Sequence, residues 1–169
     1  QGLVLPVPTF WGYKAMVAAF EADVAEIPNL SDGKIDIDGV HAAIDDNTKI
    51  VFLITPNNPS GSMIEENDLK RAINGVPSDV LLCVDEAYYD YGIHAGGPDV
   101  LSILKKREGP WITVFTFSKA YAMAGMRIGY ALCSSNEIAQ AQQKTTCVFN
   151  VPLLAQYAAR ESLLDKEYL

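Results

Sequence analysis

The sequence predicts a three-layer α/β/α fold built on a mainly parallel mixed sheet, and three observations lead to that prediction. Segments typical of strands alternate with segments typical of helices along the 169 residues, a pattern that indicates a parallel sheet with helices on both faces. The third, fourth and fifth strand candidates are apolar nearly throughout, as expected for strands covered on both faces. The connections are short, and we find no repeat, low-complexity stretch or flexible linker.

Six strands are predicted, in chain order, at residues 3–7, 24–27, 49–55, 80–84, 111–115 and 127–133. The connection between the fifth and sixth strands is short, apolar and marked by glycine, so it does not suit a full crossover helix. We therefore expect the sixth strand to run antiparallel to the fifth.

Six helices are predicted between and after these strands, at residues 13–22, 37–44, 65–74, 100–106, 136–145 and 152–164. Asp38 is expected to cap the second helix at its N-terminus. Gly75 is expected to close the third helix as the residue just after its end.

Composition and charge narrow the possible classes of function. Hydrophobic residues make up 49% of the chain and charged residues 20%, which is typical of a globular protein. The net charge of −8 argues against a general nucleic-acid or anionic-membrane surface. No apolar run approaches the roughly 20 residues that a membrane helix needs. We expect neither a nucleic-acid partner nor a membrane partner.

The cysteines and histidines indicate a reducing compartment and no zinc site. Cys83, Cys133 and Cys147 are odd in number and widely spaced, so we expect reduced core thiols of a cytoplasmic protein. With only His41 and His94 and no cysteine cluster, a zinc site is not expected. Both ends of the chain resemble interior segments of a domain, and the sequence is therefore expected to be a fragment of a longer protein.

Polar side chains follow three of the predicted strands. Asn58 follows the third strand, Asp85 follows the fourth, and Ser118 and Lys119 follow the fifth. Ligands of open α/β sheets bind at the carboxyl ends of the strands. We therefore expect these residues to converge at one edge of the sheet, although they are far apart in the sequence.

Lys119 is the candidate nucleophile. A neutral primary amine can attack a carbonyl group, and burial or a neighbouring cation such as Arg127 would favour the neutral form. The alternative is a solvated lysine that happens to follow a strand, which is the common case.

Asp85 is the candidate partner of a cationic nitrogen, because a carboxylate at the end of an apolar strand needs a strong partner. A helix N-cap and a metal ligand are the alternatives. Together with Glu86 it resembles the acidic pair of nucleotide hydrolases. However, the sequence contains neither a Gly-x-x-x-x-Gly-Lys-Ser/Thr loop nor a Gly-x-Gly-x-x-Gly motif, so nucleotide hydrolysis and dinucleotide binding are poorly supported.

Tyr88 and Asn58 are candidate donors to a ligand oxygen from two sides. Tyr88 has adjacent rivals in Tyr89 and Tyr91, and a packed aromatic side chain is the alternative. Pro59 keeps Asn58 out of the helical region, and ordinary turn chemistry accounts for this asparagine equally well.

Thr116, Ser118 and Arg127 form a candidate phosphate clamp. Two hydroxyl groups and a forked guanidinium suit the oxygens of a phosphate group. The alternative for Arg127 is an exposed cation at the start of a strand.

Phe10 could stack on an aromatic ring, although core packing is the commoner role and Trp11 or Tyr13 could replace it. The full set of groups is the set needed to hold pyridoxal phosphate. Lys119 would form the Schiff base with the cofactor aldehyde, and Asp85 would keep the pyridine nitrogen protonated so that the ring accepts electrons.

Three motifs resemble the class I/II aminotransferases of pyridoxal-phosphate fold type I, in particular the histidinol-phosphate aminotransferase branch and the related threonine-phosphate decarboxylases. They follow the order and spacing of that family and span nearly the whole chain. The motifs are Pro56-Asn57-Asn58-Pro59-Ser60-Gly61, Val84-Asp85-Glu86-Ala87-Tyr88, and Phe117-Ser118-Lys119-Ala120-Tyr121 through Gly125-Met126-Arg127-Ile128-Gly129.

The resemblance implies a role for each candidate residue. Lys119, Asp85 and Tyr88 are implied as catalytic residues, with Lys119 joined to the cofactor and Asp85 bound to the pyridine nitrogen. Asn58 and Tyr88 are the implied partners of the ring oxygen. The remaining implied cofactor ligands are the phosphate-binding Thr116, Ser118 and Arg127 and the stacking Phe10.

The resemblance also implies an activity and an organisation. We expect a pyridoxal-phosphate-dependent aminotransferase that moves an amino group between an amino acid, or an amino-alcohol phosphate, and a 2-oxo acid. A decarboxylase of the threonine-phosphate type and a fragment inactive in isolation are the alternatives. Residues 1–169 are expected to form the central part of the large domain, without the N-terminal arm and the C-terminal small domain, in a protein that forms homodimers.

Overall fold

Six strands form one mixed sheet in the computed structural model, which describes residues 2–165 and 167–169. The strands are β1 (Gly2–Val7), β2 (Asp23–Pro28), β3 (Thr48–Ile54), β4 (Leu81–Asp85), β5 (Trp111–Thr116) and β6 (Gly129–Cys133). Their order across the sheet is β2-β1-β3-β4-β5-β6. The first five are parallel to their neighbours, and β6 is antiparallel to β5. All six predicted strands and the antiparallel sixth strand are confirmed.

The helices of the described residues are α1 (Gly12–Ala19), α2 (Ile37–Ala42), α3 (Glu66–Gly75), α4 (Tyr89–His94), α5 (Val100–Leu104), α6 (Asn136–Lys144) and α7 (Leu153–Leu164). Six of them lie where the sequence predicts helices, whereas α4 was not predicted. Nowhere in residues 2–165 and 167–169 is a helix both long enough and apolar enough to cross a membrane.

Two expected helix ends are wrong. Asp36, and not Asp38, caps α2: its Oδ1 accepts a hydrogen bond of 3.0 Å from the Gly39 N–H, and Asp38 lies in the first turn. Gly75 is the last residue of α3, and Val76 follows in an extended conformation. A Cβ atom at Gly75 would clash with the His41 ring as it is packed here, so glycine suits this position through packing and not through a left-handed helix end.

Side chains on alternate strand positions build a core on each face of the sheet. On one face, Val4 and Val51 pack with apolar side chains of α2, α3 and α5. On the other face, Leu3 and Leu5 pack with Tyr13 of α1. Since successive strand residues point to opposite faces, the apolar β1 and β3 contribute to both cores. The three-layer α/β/α prediction is confirmed.

The three cysteines are free thiols with different exposure. Cys83 is buried, Cys133 is half-buried and Cys147 is exposed. Burial raises the pKa of the Cys83 thiol to about 12, so this thiol stays protonated and unreactive. The expectation of core thiols therefore holds for Cys83 and is wrong for Cys147.

Candidate functional site

The carboxyl ends of β3, β4 and β5 lie side by side at one edge of the sheet. Ile54 at the end of β3 pairs with Asp85 at the end of β4, and Asp85 pairs with Val114 in β5. Backbone hydrogen bonds continue just past these pairs, from the Thr55 N–H to the Asp85 carbonyl at 3.0 Å. The segments with Asn58, Asp85 and Lys119 therefore start from three adjacent parallel strands, and the predicted convergence of the strand ends is found.

Asp85 is buried, and each of its carboxylate oxygens accepts a hydrogen bond. Oδ1 accepts from the Ala87 N–H at 2.7 Å, and Oδ2 accepts from the Tyr13 hydroxyl. Burial and, to a smaller extent, the charge of Asp85 raise the pKa of Tyr13 well above its usual range. The phenol therefore keeps its proton and acts as a donor. A carboxylate held by two donors has a fixed orientation, as a partner of a cationic nitrogen requires.

Tyr13 is a residue that the sequence predicted only as a rival of Phe10 for stacking. The structure gives it a different contact, because its hydroxyl faces Asp85 and its ring packs on Phe52 at a centroid distance of 4.7 Å. A signal was present: a buried tyrosine usually bonds its hydroxyl to a partner. Nothing in the sequence identified Asp85 as that partner.

Lys119 lies next to Tyr88. The Lys119 Nζ is 5.2 Å from the centroid of the Tyr88 ring, which is within the range of a cation–π contact. Of the rival tyrosines, Tyr89 packs edge-on against Phe115 and Tyr91 is 54% exposed. Lys119 itself is exposed in this chain, so burial does not favour its neutral form here.

Asn58 and Tyr88 line the same cavity. This cavity has a volume of about 390 Å³ and lies between the turn after β3 and the start of α4. Both side chains are half-buried, so their polar groups can reach a ligand. The structure therefore brings together the two predicted donors to a ligand oxygen.

Thr116 and Ser118 are in direct contact. The Thr116 hydroxyl donates to the Ser118 Oγ at 2.8 Å, and the Ser118 N–H donates to the Thr116 Oγ1 at 3.0 Å. The segment before β6 lies alongside them, since the Phe117 N–H donates to the Ile128 carbonyl at 3.1 Å. The two hydroxyls form one polar patch beside the segment that contains Arg127.

Arg127 lies in a turn and not at the start of a strand as predicted, because β6 begins at Gly129. Its backbone is left-handed, with φ of 52°, and its Nη1 donates to the Ala124 carbonyl at 2.7 Å. The side chain is exposed, and a guanidinium that donates once keeps further N–H groups for an anion. The structure thus places an accessible cation in the turn that follows the hydroxyl pair.

Phe10 lies in the loop after β1, near Asp85. Its ring centroid is 5.8 Å from that of Tyr13 in an edge-on arrangement, and Tyr13 in turn contacts Asp85. Phe10 is 40% exposed, whereas its other rival, Trp11, is 73% exposed. A half-exposed ring at a strand end is available for stacking on a planar ligand.

Asn57 is a second residue that the sequence did not predict as part of the site. Its side chain is buried and forms hydrogen bonds with the loop that contains Phe10. The available signal was its position beside Asn58, but two adjacent asparagines before a proline are also ordinary turn chemistry.

The fold and this edge of the sheet together define an α/β protein with an amine, a fixed carboxylate and a hydroxyl–guanidinium patch at adjacent strand ends. The family model for aminotransferase class I and II matches residues 1–169. The chain belongs to the class I and II aminotransferase family.

Known relatives agree with that membership. The chain is 36% identical over 167 residues to histidinol-phosphate aminotransferase 2 of Carboxydothermus hydrogenoformans, covering 98% of this chain and 45% of the relative. The crystal structure of histidinol-phosphate aminotransferase from Sinorhizobium meliloti in complex with pyridoxal-5'-phosphate superposes with a TM-score of 0.89 and 30% identity, over 99% of this chain and 45% of that one.

A third relative shares the fold. The L-threonine-O-3-phosphate decarboxylase of Porphyromonas gingivalis has a TM-score of 0.79 and 23% identity, over 99% of this chain and 48% of that chain. At that identity the likeness concerns the fold alone. The chain spans about half the length of the relatives it matches.

Proposed function

We propose that the protein containing this chain is a pyridoxal-phosphate-dependent aminotransferase. It moves an amino group between an amino acid, or an amino-alcohol phosphate, and a 2-oxo acid. The observation that carries the proposal is the arrangement of three adjacent parallel strands whose carboxyl ends lead into Asn58, Asp85 and Lys119. Membership of the family over all 169 residues supports the same conclusion.

The donor set fits pyridoxal phosphate. The fixed Asp85 carboxylate suits the protonated pyridine nitrogen, and the Lys119 amine suits the aldehyde. Asn58 and Tyr88 can donate to the ring oxygen from the cavity that both line. The other proposed ligands are Thr116, Ser118 and Arg127 for the phosphate group and Phe10 for the ring face.

Each residue then has a physical task. Pyridoxal phosphate, when bound, supplies a carbonyl carbon that reacts with amines and a ring that accepts electrons from the substrate carbon. Lys119 would hold that carbonyl carbon in the resting protein, and its Nζ, freed when the substrate amine takes its place, would move a proton at the substrate Cα. Asp85 would accept a hydrogen bond from the pyridine N–H, and the Tyr13 hydroxyl and the Ala87 N–H keep its carboxylate oriented for that contact.

Transamination is favoured over decarboxylation by the relatives. A relative 36% identical to the chain is named an aminotransferase, and the family whose model matches residues 1–169 is that of the class I and II aminotransferases. Histidinol phosphate, named in the aminotransferase relatives, is an amino-alcohol phosphate, and we propose a substrate of that class or the corresponding amino acid.

We propose that residues 1–169 are the central part of the large, cofactor-binding domain of a longer cytoplasmic homodimer. The match covers 45% of a relative's length, which supports a longer parent protein, and we propose that its other parts include an N-terminal arm and a C-terminal small domain. The phosphate patch described above is exposed at Arg127, so the isolated chain is expected to bind the cofactor weakly.

The test uses the full-length protein, incubated with pyridoxal phosphate and a panel of amino donors, including histidinol phosphate, and 2-oxo acids. Amino transfer, carbon dioxide release and cofactor absorbance are recorded. We expect amino transfer with bound cofactor in the wild type and its loss in Lys119→Ala. The exposed Lys106→Ala is the matched control and should retain activity. A wild type that neither binds the cofactor nor transfers amino groups would refute the proposal.

A further inference from the structure

Asn57 makes three side-chain hydrogen bonds in a buried position. Its Oδ1 accepts from the Thr9 hydroxyl at 3.0 Å. Its Nδ2 donates to the Pro8 carbonyl at 3.1 Å and to the Ser60 Oγ at 2.9 Å. The residue is 4% exposed, whereas its partners Pro8, Thr9 and Ser60 are exposed or half-exposed. The buried amide thus depends on these bonds, because its polar atoms have little access to water.

These bonds join two segments that each contain a proposed cofactor contact. Thr9 precedes Phe10 in the loop after β1, and Asn57 precedes Asn58 in the turn after β3. Each proposed contact is therefore one residue away from the Thr9–Asn57 hydrogen bond. A displacement of one segment relative to the other would move Phe10 and Asn58 apart.

The hydrogen bonds recorded among the described residues between residues 8–11 and residues 56–62 all end on Asn57. The remaining hydrogen bonds of residues 8–11 and 56–62 stay within one of the two segments or go to other parts of the chain. The Asn57 N–H donates to the Ser62 carbonyl at 2.9 Å, which closes the turn itself. Asn29 Nδ2 donates to the same Pro8 carbonyl at 3.1 Å but holds it to the end of β2.

The bonds continue into a chain of hydroxyls. The Ser60 hydroxyl is 2.8 Å from the Ser62 hydroxyl, which donates to the Gly33 carbonyl at 2.7 Å. This anchors the turn after β3 to the loop after β2. Asn57 is the member of the chain that faces the loop after β1, and it therefore links that loop to an anchored turn.

We propose that Asn57 is a positioning residue that fixes the loop containing Phe10 to the turn containing Asn58, and so sets the stacking contact and the amide contact of the cofactor relative to each other. The proposal rests on the proposed function for its ligand. It adds a residue that acts through two others and that touches no cofactor atom itself.

The experiment compares Asn57→Ala with Asn29→Ala in the full-length protein. Asn29 is the matched control because it bonds to the same carbonyl without joining the two segments. Thr9→Val removes the hydroxyl that bonds to Asn57, and Thr9→Ser retains one. Two quantities are measured for each variant: the dissociation constant of pyridoxal phosphate, by absorbance titration of the apoprotein, and amide hydrogen exchange of the apoprotein.

We expect Asn57→Ala to weaken cofactor binding by about tenfold, which is about 1.4 kcal/mol. Hydrogen exchange should increase in residues 8–13 and in residues 58–62 together. Thr9→Val should weaken binding by about threefold, and Thr9→Ser should restore it. Asn29→Ala should stay within about twofold of the wild type. Thr9→Val also serves as the second variant should Asn57→Ala fail to fold.

Two results would overturn the proposal: unchanged cofactor affinity in Asn57→Ala, or faster exchange in residues 58–62 alone. Thermal melting of the apoprotein is the further control. A lower melting temperature with unchanged cofactor affinity and unchanged hydrogen exchange would show that Asn57 is purely structural and would overturn the proposal equally. A wild type that binds no pyridoxal phosphate refutes the proposed function instead, and the exchange data still test the link between the segments.

Discussion

The hydroxyl of Tyr13 donates a hydrogen bond to the Oδ2 of Asp85, which is 72 residues away in the sequence. The bond joins the helix after β1 to the end of β4, across the end of the intervening β3. Because the Ala87 N–H occupies the other carboxylate oxygen, the orientation of Asp85 depends on both donors. The proposed pyridine contact is therefore supported by an aromatic residue from a distant segment.

Replacing Tyr13 by Phe removes this donor and keeps the ring. We expect the full-length protein to lose about 1–2 kcal/mol of stability, because a buried carboxylate oxygen loses its partner. Affinity for pyridoxal phosphate should fall by about tenfold. Urea denaturation and cofactor titration measure the two effects. Tyr157→Phe, which changes an exposed phenol, is the control, and equal behaviour of the two variants would contradict the role of Tyr13.

Asp85→Asn should separate cofactor binding from catalysis. The amide keeps the size of the side chain but cannot supply the negative charge that holds the pyridine N–H. We expect the cofactor still to bind while single-turnover removal of the substrate Cα proton slows by about a hundredfold or more. Rapid-mixing absorbance measures that rate. An unchanged rate would exclude the electrostatic role, and Asp79→Asn, on the exposed surface, provides the control.

Glu86 should make stability depend on pH. Burial raises the pKa of this carboxyl to about 7 from the ordinary 4.5, and the hydrogen bond from Thr113 opposes part of the rise. The folded state therefore holds the proton more tightly than the unfolded state. This tighter proton binding contributes to the unfolding free energy in full below the ordinary pKa of 4.5. The contribution is lost as the pH rises through about 7, and the total loss is roughly 3 kcal/mol.

Glu86→Gln should remove that loss. Urea denaturation of the full-length protein between about pH 5 and pH 8 should show a smaller decline in unfolding free energy than in the wild type. Glu108→Gln, at an exposed position, should leave the decline intact. Thr113→Val removes a donor at 2.6 Å, so it should raise the pKa of Glu86 further and extend the decline to higher pH. Identical profiles for the wild type and Glu86→Gln would refute this account.

Arg107 stabilises the end of α3 and the loop after it. Its guanidinium donates, at distances from 2.6 to 3.0 Å, to four carbonyl oxygens: those of Ile73, Val76, Pro77 and Val80. A lysine cannot reproduce this planar set of donors. We expect Arg107→Lys to cost about 2 kcal/mol, measured by urea denaturation.

The control for Arg107 is Arg71→Lys. Arg71 pairs with Asp38 on the surface, where both side chains are largely exposed, so this change should cost less than about 1 kcal/mol. Equal losses in the two variants would mean that the carbonyl contacts of Arg107 contribute nothing specific.

The strands could be predicted from the sequence because their apolar runs are local signals. The antiparallel β6 was predictable for a related reason: the connection from β5 is too short for a crossover helix. The helix α4 was missed because its six residues are too few to show a helical period, and one of them is Gly92, a poor helix former. The cap at Asp36 was missed because Asp36 and Asp38 both lie at the start of α2, and only the backbone geometry decides which of them is the cap.

The sequence by itself determined the alternation of elements, the polar residues that follow each central strand, and the resemblance to a family. These properties depend on neighbouring residues and on motif spacing. The tertiary structure alone decided the bond between Tyr13 and Asp85, the contact between Tyr88 and Lys119, and the link from Asn57 to Thr9. Each of these contacts joins segments that are far apart in the chain. Strand order and register bring the segments together in the folded protein. No local sequence pattern encodes that arrangement.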